Sequence, residues 1–542
     1  MVEAGQTIDP VVVGITVLYF LGVIAIGWYS RARMKSATDY YVAGRQIGSV
    51  VNGLALESTY LSPASMLGLP AYIFILGYPF WWAMSAIIAG MPIATLLTAA
   101  AMRKYGPVSF ADYYADRYND PNLRWLVGII VCFGAILYIT LSIVGMGIFL
   151  LAILRFPYLY GVILGAIIVM IYVVFGGMIA TSWNAAFQAV LMTIAAVIAA
   201  VGIINHFGGL GGFHEAVLAN NPKFFNTPSD PEPNHILAGT WLAVIGWFFV
   251  WHYGFATMPY TVVRFFTVMD MKTARRSIFW CTLFAGFFYL GLEIIGAGAK
   301  VMVETAHPLV TSGEVKANAL AVLKYYATKY GVGTPLDYSM VAAVEALKNP
   351  WVLGILAAGG LAIAMSTAAG WVMVVNVIVT RDWADMLLKS KFAKENPVLM
   401  ARIVSVIFLA IGMIIAINPP GLVLDLSGWA FVVIIAALGP SLILGLWWKG
   451  ATRTATWVTA IVMFVLHLFA WLYAKLWMDP KGHHAFFFLN KALGLSKAAI
   501  ITPHQVWAIP VGFILFIVVS LLTKKPDEEV VQKYCVDLTE KL

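Results

Sequence analysis

The chain has 542 residues, of which 61% are hydrophobic and only 11% charged, with a mean hydropathy of +0.86. A soluble domain carries about 25% charged residues, so this composition excludes a soluble globular protein and places the chain in a membrane. The net charge of +8 does not argue for nucleic acid as a partner, because the basic residues are scattered through short loops and form no single patch.

From the N-terminus, a polar opening through Pro10 leads into an apolar span from about Val11 to Tyr29. It is too long for a signal-peptide core and has no small-residue cleavage site after it, so a transmembrane helix is expected and a cleavable signal is not. Windows of about twenty apolar residues give about thirteen spans along the chain. They begin near Val11, Val51, Trp81, Leu126, Tyr160, Ala185, Ile236, Ile278, Trp351, Ile403, Leu422, Thr454 and Val506. Basic residues follow the odd-numbered spans: Arg31, Arg33, Lys35 and Arg45 after the first, Arg264, Lys272, Arg275 and Arg276 after the seventh. That bias places the N-terminus outside and the C-terminus in the cytoplasm, as in a multi-pass protein of the cytoplasmic (inner) membrane. The expected fold is all-α and polytopic, with an extra helix and first loop in residues 1–45 and a core in 46–450. The core divides into 46–205 and 236–450, and two further helices with a short tail occupy 451–542.

Within the second span, the stretch from Glu57 to Gly68 is polar and interrupted by Pro63. Irregular backbone at membrane depth is tolerated only where it is buried in protein or lines a cavity. Such a break exposes amide and carbonyl ends that hold an ion or a small polar solute. The seventh span carries a similar interruption from Trp251 to Pro259. Spans two to six and seven to eleven then form two blocks of five that enter the membrane from opposite sides, an inverted repeat; two unrelated proline kinks are the alternative.

Ser366 and Thr367 lie midway along the ninth span among glycines and alanines that allow close helix approach. Their hydroxyls suit a small cation, or they bond back to carbonyls one turn earlier. Glu57, just before the first break, is a proton carrier, a cation ligand at one remove or a structural partner. Glu293 within the eighth span has no polar neighbours in sequence, and Asp425 near the end of the eleventh is open to solvation. His252 and Tyr253 stand at the second break, where polar side chains face either a solute or a structural acceptor. Trp81 and Trp82 fit an interfacial belt or a cavity wall. Cys132, Cys281 and Cys535 are too isolated for a disulfide framework, and His483 and His484 lack further metal ligands. No nucleophile–base pair stands out, so an enzyme is not expected.

The run Tyr172-Val-Val-Phe-Gly176-Gly177-Met-Ile-Ala180-Thr181-Ser-Trp183, followed by Gln188, resembles the signature of the sodium/solute symporter family. Gly445-Leu-Trp-Trp448-Lys449 with Thr454-Ala455, and Asp39-Tyr-Tyr-Val-Ala-Gly44 with Asn52-Gly53, are similar to it as well. Within that family, Val174 to Trp183, Arg264-Phe-Phe-Thr-Val-Met-Asp270 and Ala274 to Phe279 resemble the cation/acetate symporters, the acetate permeases. The likeness runs from about Asp39 to Ala460.

The resemblance implies a LeuT-like core of five-plus-five inverted repeats and secondary active transport. Counting back from Asp382 places Ser366 and Thr367 at the hydroxyl ligands of a sodium site and Ile363 at a carbonyl ligand. Counting from Ser62 places Ser58 and Leu61 at two more carbonyl positions. Asn184 and Ala185 stand where many members carry Thr-Asp linked to a second sodium site, so one coupling ion is expected. Trp82 and Ala285 are apolar-type positions where sugar carriers place Glu and Lys, so a sugar is not expected. Glu57 and Glu293 are departures from acetate permeases. The expectation is a sodium-driven symporter for a small monocarboxylate such as acetate. The solute would meet Ser62, Ala64 and Ser65, with Trp251, His252 and Tyr253 completing the pocket. A proton-coupled carrier using Glu57, or a carrier of another small organic solute, is the alternative. Expected partners are a small organic anion, sodium and the lipid bilayer, with no cofactor besides the coupling ion and no nucleic acid.

Overall fold

A computed structural model describes residues 8–31, 42–227, 241–473 and 503–535. Their regular structure is helical, as hydrocarbon demands of a backbone that must pair its own amides and carbonyls. The principal helices are α1 (Pro10–Arg31), α2 (Ser49–Tyr60), α3 (Leu69–Leu76), α4 (Pro79–Ala94), α5 (Phe110–Arg117), α6 (Leu123–Leu154), α7 (Tyr158–His206) and α8 (Trp241–Thr257). They continue with α9 (Pro259–Phe266), α10 (Met271–Ala306), α11 (Pro350–Asn376), α12 (Pro397–Ile417), α13 (Val423–Trp447), α14 (Arg453–Tyr473) and α15 (Pro503–Leu522).

Among the described residues, eight helices are long and apolar enough to cross a membrane, or up to ten if each bent pair is one span. The spans expected to begin near Tyr160 and Ala185 run together as α7, a helix of 49 residues. At about 1.5 Å per residue this is more than twice the roughly 30 Å of a hydrocarbon core, so α7 has length for both. The paired histidines His483 and His484 lie outside the described residues.

Burial sorts the helices into a centre and a rim. The apolar windows of α6, α11 and α13 are 83%, 94% and 89% buried, against 22% for α1 and 28% for α12. Helix α11 packs on α6 and α7, α10 packs on α2 and α7, and α8 packs on α4. The site residues on α11 therefore sit in the protein interior and not at the lipid face.

Both interrupted helices are present. Helix α2 ends at Tyr60, Leu61 is extended (φ −67°, ψ 141°), and the chain resumes through a π-helical turn, Ala64–Gly68, into α3. The two halves bend by 59°. Helix α8 ends at Thr257, Met258 is extended (φ −64°, ψ 128°), and Pro259 opens α9. A residue before proline is pushed out of the helical region, and proline is well suited to a helix start because it has no amide to satisfy there. The second interruption is thus confined to Met258, and Trp251 to Thr257 remain helical.

Charged networks tie the two ends of α6. At its start, Asp112 on α5 accepts from Arg124 (3.1 Å) and Arg381 (2.9 Å), while Arg381 also holds Asp382 (2.9 Å) and Ser109 donates to Asp382. Burial pushes the Asp112 carboxyl up, but Arg381 and Arg124 outweigh it and hold it below its ordinary range. At the far end, Glu345 accepts from Arg155 (2.6 Å), Tyr326 (2.6 Å) and Tyr338 (2.8 Å) and meets His307 at 3.3 Å. His307 Nδ1 accepts from the Leu309 amide, so Nε2 carries the proton toward Glu345. Burial would raise the Glu345 carboxyl, yet the Arg155 guanidinium and the neighbouring donors bring it down to about 2.

Because that carboxyl is depressed on folding, its contribution is complete above its ordinary value of 4.5 and is lost as pH falls toward about 2. Glu345→Gln should lower stability in detergent by roughly 3 kcal/mol at neutral pH, the scale of a broken buried ion pair. A thermal melt at pH 7 and pH 3 checks this: the gap between native and variant narrows in acid.

Candidate functional site

The first break leaves backbone carbonyls without helical partners. The Leu61 amide closes α2 on the Glu57 carbonyl (2.8 Å), and the next helix starts on Ser62, whose carbonyl takes the Ser65 and Met66 amides. The Ser58 and Leu61 carbonyls are met instead from α11. Ser366 Oγ donates toward Ser58 O at 2.7 Å, and Thr367 Oγ1 toward Leu61 O at 2.7 Å. Each hydroxyl also lies near Ile363 O, at 3.0 Å and 2.8 Å. Two hydroxyl protons therefore serve three carbonyls, and five oxygens crowd one buried point. All five residues that the family resemblance assigns to a cation, Ser58, Leu61, Ile363, Ser366 and Thr367, meet here. Hydroxyls and carbonyls are hard oxygen ligands of the kind small cations take.

Glycine makes this approach possible. A Cβ on Gly145 of α6 would stand 2.6 Å from the Pro63 ring, and one on Gly370 of α11 would stand 2.6 Å from Thr59.

The residues expected to hold the solute are divided. Ser62 and Ala64 are buried at the break, but the Ala64 amide is taken by Ser62 Oγ (3.2 Å) and the Ser65 amide by Ser62 O. Ser62 caps the helix that Pro63 begins, so these amides are engaged and not offered to an anion. Ser65 Oγ pairs with Tyr289 OH on α10 at 3.0 Å. Trp251 lies inside, edge-on to Phe431 of α13 with ring centres 5.3 Å apart. His252 instead lies over Phe248 and bonds its carbonyl one turn back at 2.9 Å, the structural-acceptor alternative. Tyr253 packs on Phe513 of α15, away from the break. Because the helix continues through to Thr257, successive residues turn by about 100° and cannot share one wall.

An aromatic cluster that sequence reasoning passed over fills the space beside the break. Tyr138 of α6 touches Trp371 of α11 (5.2 Å), Tyr260 of α9 (5.7 Å) and Phe431 (5.7 Å), and its hydroxyl faces Ser62. Tyr60 packs on Phe255 and Phe431, with Gly254 admitting the Phe431 ring. In the sequence, a tryptophan or tyrosine in an apolar helix carries no mark distinguishing it from packing. Asn184 is wholly buried, with both side-chain polar atoms unpaired.

The remaining acids are placed as follows. Glu57 is fully buried on α2; Thr193 donates to its Oε1 at 2.8 Å and its Oε2 has no partner. Glu293 is half-buried on α10. Asp425 receives the Tyr72 hydroxyl, so it is held by protein as well as open to solvent. Among the described residues, no group of three or more His, Cys, Asp or Glu could hold a metal ion.

The model of the sodium:solute symporter family matches residues 40–473. This chain belongs to the sodium:solute symporter family. Its fold is similar to that of a Na+-coupled sialic acid symporter solved substrate-bound and outward-open. The TM-score is 0.72 at 17% identity, covering 96% of this chain and 100% of that one. It is also similar to the Eremococcus coleocola manganese transporter in complex with an aromatic bis-isothiourea substituted compound, with a TM-score of 0.50, 13% identity, and 90% and 100% coverage. Those likenesses show the LeuT-like fold, and the family shows the activity class: the symporter couples sodium to solute uptake across a membrane and is a transporter, not an enzyme.

A Cβ on Gly254 would lie 2.4 Å from the Phe431 ring. Gly254→Val should therefore drive Phe431 into the aromatic cluster and lower solute uptake at least about tenfold, as overpacking of a tight interior does. Sodium-induced thermal stabilisation of the purified variant should persist, because the five oxygens are untouched.

Proposed function

We propose that this symporter imports a small monocarboxylate, acetate or a close relative, across the cytoplasmic membrane on one sodium ion per cycle. The ion sits among the Ser58, Leu61 and Ile363 carbonyls and the Ser366 and Thr367 hydroxyls. The observation that carries this reading is the convergence of those oxygens at the first break, with hydroxyl contacts of 2.7–3.0 Å. Sodium replaces the two hydroxyl protons as the charge those carbonyls face, and it ties α2 to α11. The solute occupies the aromatic space alongside, with Ser62, Ser65 and Trp251 among its contacts. Since both ligands favour the arrangement that joins α2, α8 and α11, each raises the affinity of the other. The two broken helices belong to an inverted repeat, and the N-terminus lies outside the cell.

The acetate assignment rests on the sequence runs around Trp183 and Arg264. Propionate, lactate and pyruvate differ from acetate by groups that one side chain admits or rejects. A second reading, proton coupling through Glu57, is favoured by one observation: its buried Oε2 has no partner.

Labelled acetate uptake into proteoliposomes under a sodium gradient alone, and under a pH gradient alone, separates the two. Sodium coupling predicts accumulation only with the sodium gradient, and loss of sodium stimulation in Ser366→Ala/Thr367→Ala. Glu57→Gln should then retain at least half of the sodium-driven rate. Accumulation with the pH gradient alone, abolished by Glu57→Gln, would transfer the coupling to Glu57.

A further inference from the structure

The aromatic cluster holds donors with nothing to donate to. Trp371 is wholly buried and its indole Nε1 has no hydrogen-bond partner; Trp251 is 5% exposed and its Nε1 has none either. The Tyr260 hydroxyl, buried beside them, is engaged with the Tyr138 hydroxyl. An indole N–H is a donor and never an acceptor. Buried polar groups are paired in nearly all native structures, and each exception asks for an explanation such as an absent ligand. The two indoles border one cluster: the Trp371 ring lies 5.2 Å from Tyr138, Tyr138 lies 5.7 Å from Phe431, and Phe431 lies 5.3 Å from Trp251.

Position adds to chemistry. Trp371 follows Thr367 by four residues on α11, so the two share one helix face, one turn apart. The backbone amides after the break are already taken by Ser62. An anion at this site would therefore find its donors on the rings and not on the helix start.

We infer that the Trp371 indole, with the Trp251 indole, binds the solute through an acceptor-only group, a carboxylate, next to the sodium site. The inference rests on the sodium reading above and names the chemical class of solute and the residue that links it to the ion. A carboxylate accepts at both oxygens and donates nothing, which matches a wall of donors. A neutral amide or a sugar brings donors of its own, and these would meet further donors. The positive charge that a buried carboxylate needs is supplied by the sodium one turn away. Solute binding without sodium is correspondingly poor, which is the coupling itself.

The test is thermal stabilisation of the purified, full-length protein, first by sodium chloride and then by added acetate, propionate, lactate and pyruvate, with acetamide as the neutral isostere. A ligand that binds only the folded protein raises its melting temperature. In the native protein, sodium should stabilise, at least one of the acids should stabilise further only in sodium, and acetamide should not. Trp371→Phe keeps an aromatic side chain and removes the N–H, and Trp251→Phe does the same at the second indole. Each should raise the half-effective acid concentration at least about tenfold, the scale of one lost hydrogen bond to a charged group, while sodium stabilisation stays. That retained response shows that the variants fold.

Unchanged acid response in both variants would overturn the inference. So would stabilisation by acetamide equal to that by the acids, or no response to any acid while sodium still stabilises. Absence of the sodium response in the native protein is a different result: it would remove the sodium reading, and this inference with it.

Discussion

A broken helix at membrane depth has carbonyls that neither lipid nor its own amides can satisfy. Here the Ser58 and Leu61 carbonyls are in that condition, and hydroxyls from a separate helix, α11, meet them. The rest of the arrangement follows from that requirement. Helix α11 must run through the interior, and it is the most buried of the long apolar helices described. Glycine must replace bulk where α6 meets Pro63 and where α11 meets Thr59. In this arrangement one hydroxyl of α11 serves each of the two freed carbonyls.

The same helix joins the functional parts. Along α11 and its wide-turned continuation, Val377–Leu387, lie the hydroxyls at Ser366 and Thr367, the indole of Trp371, and the Arg381–Asp382 pair that grips α5 through Asp112. A shift of α11 relative to α2 would therefore reach both the hydroxyl–carbonyl contacts and the charged network at the start of α6. At the other end of α6, the Arg155–Glu345 network fastens the opposite side.

Much of this was legible in the sequence. Pro63 and Pro259 mark both interruptions, since proline starts a helix far more readily than it continues one. The hydroxyl pair within a glycine- and alanine-rich run pointed to close packing around polar groups. The residue-by-residue family match then collected three carbonyls that no side-chain pattern could reveal. What stayed hidden depended on helical phase. His252 and Tyr253 were grouped with Trp251 because the second interruption looked wide; with helix up to Thr257, they turn to Phe248 and Phe513. Trp371 carries no mark in the sequence, because an unpaired donor is a property of three-dimensional surroundings, not of composition. The networks around Asp112 and Glu345 join residues hundreds of positions apart, as with Arg155 and Glu345, or Asp112 and Arg381. Spacing along the chain cannot foretell them.

The most direct check of the ion site is equilibrium binding of radioactive sodium to the purified symporter, with potassium as competitor. The arrangement predicts one saturable sodium per chain, displaced poorly by potassium and lost when the Ser366 and Thr367 hydroxyls are both removed. Two sodium ions per chain, or saturable binding that survives loss of both hydroxyls, would contradict it.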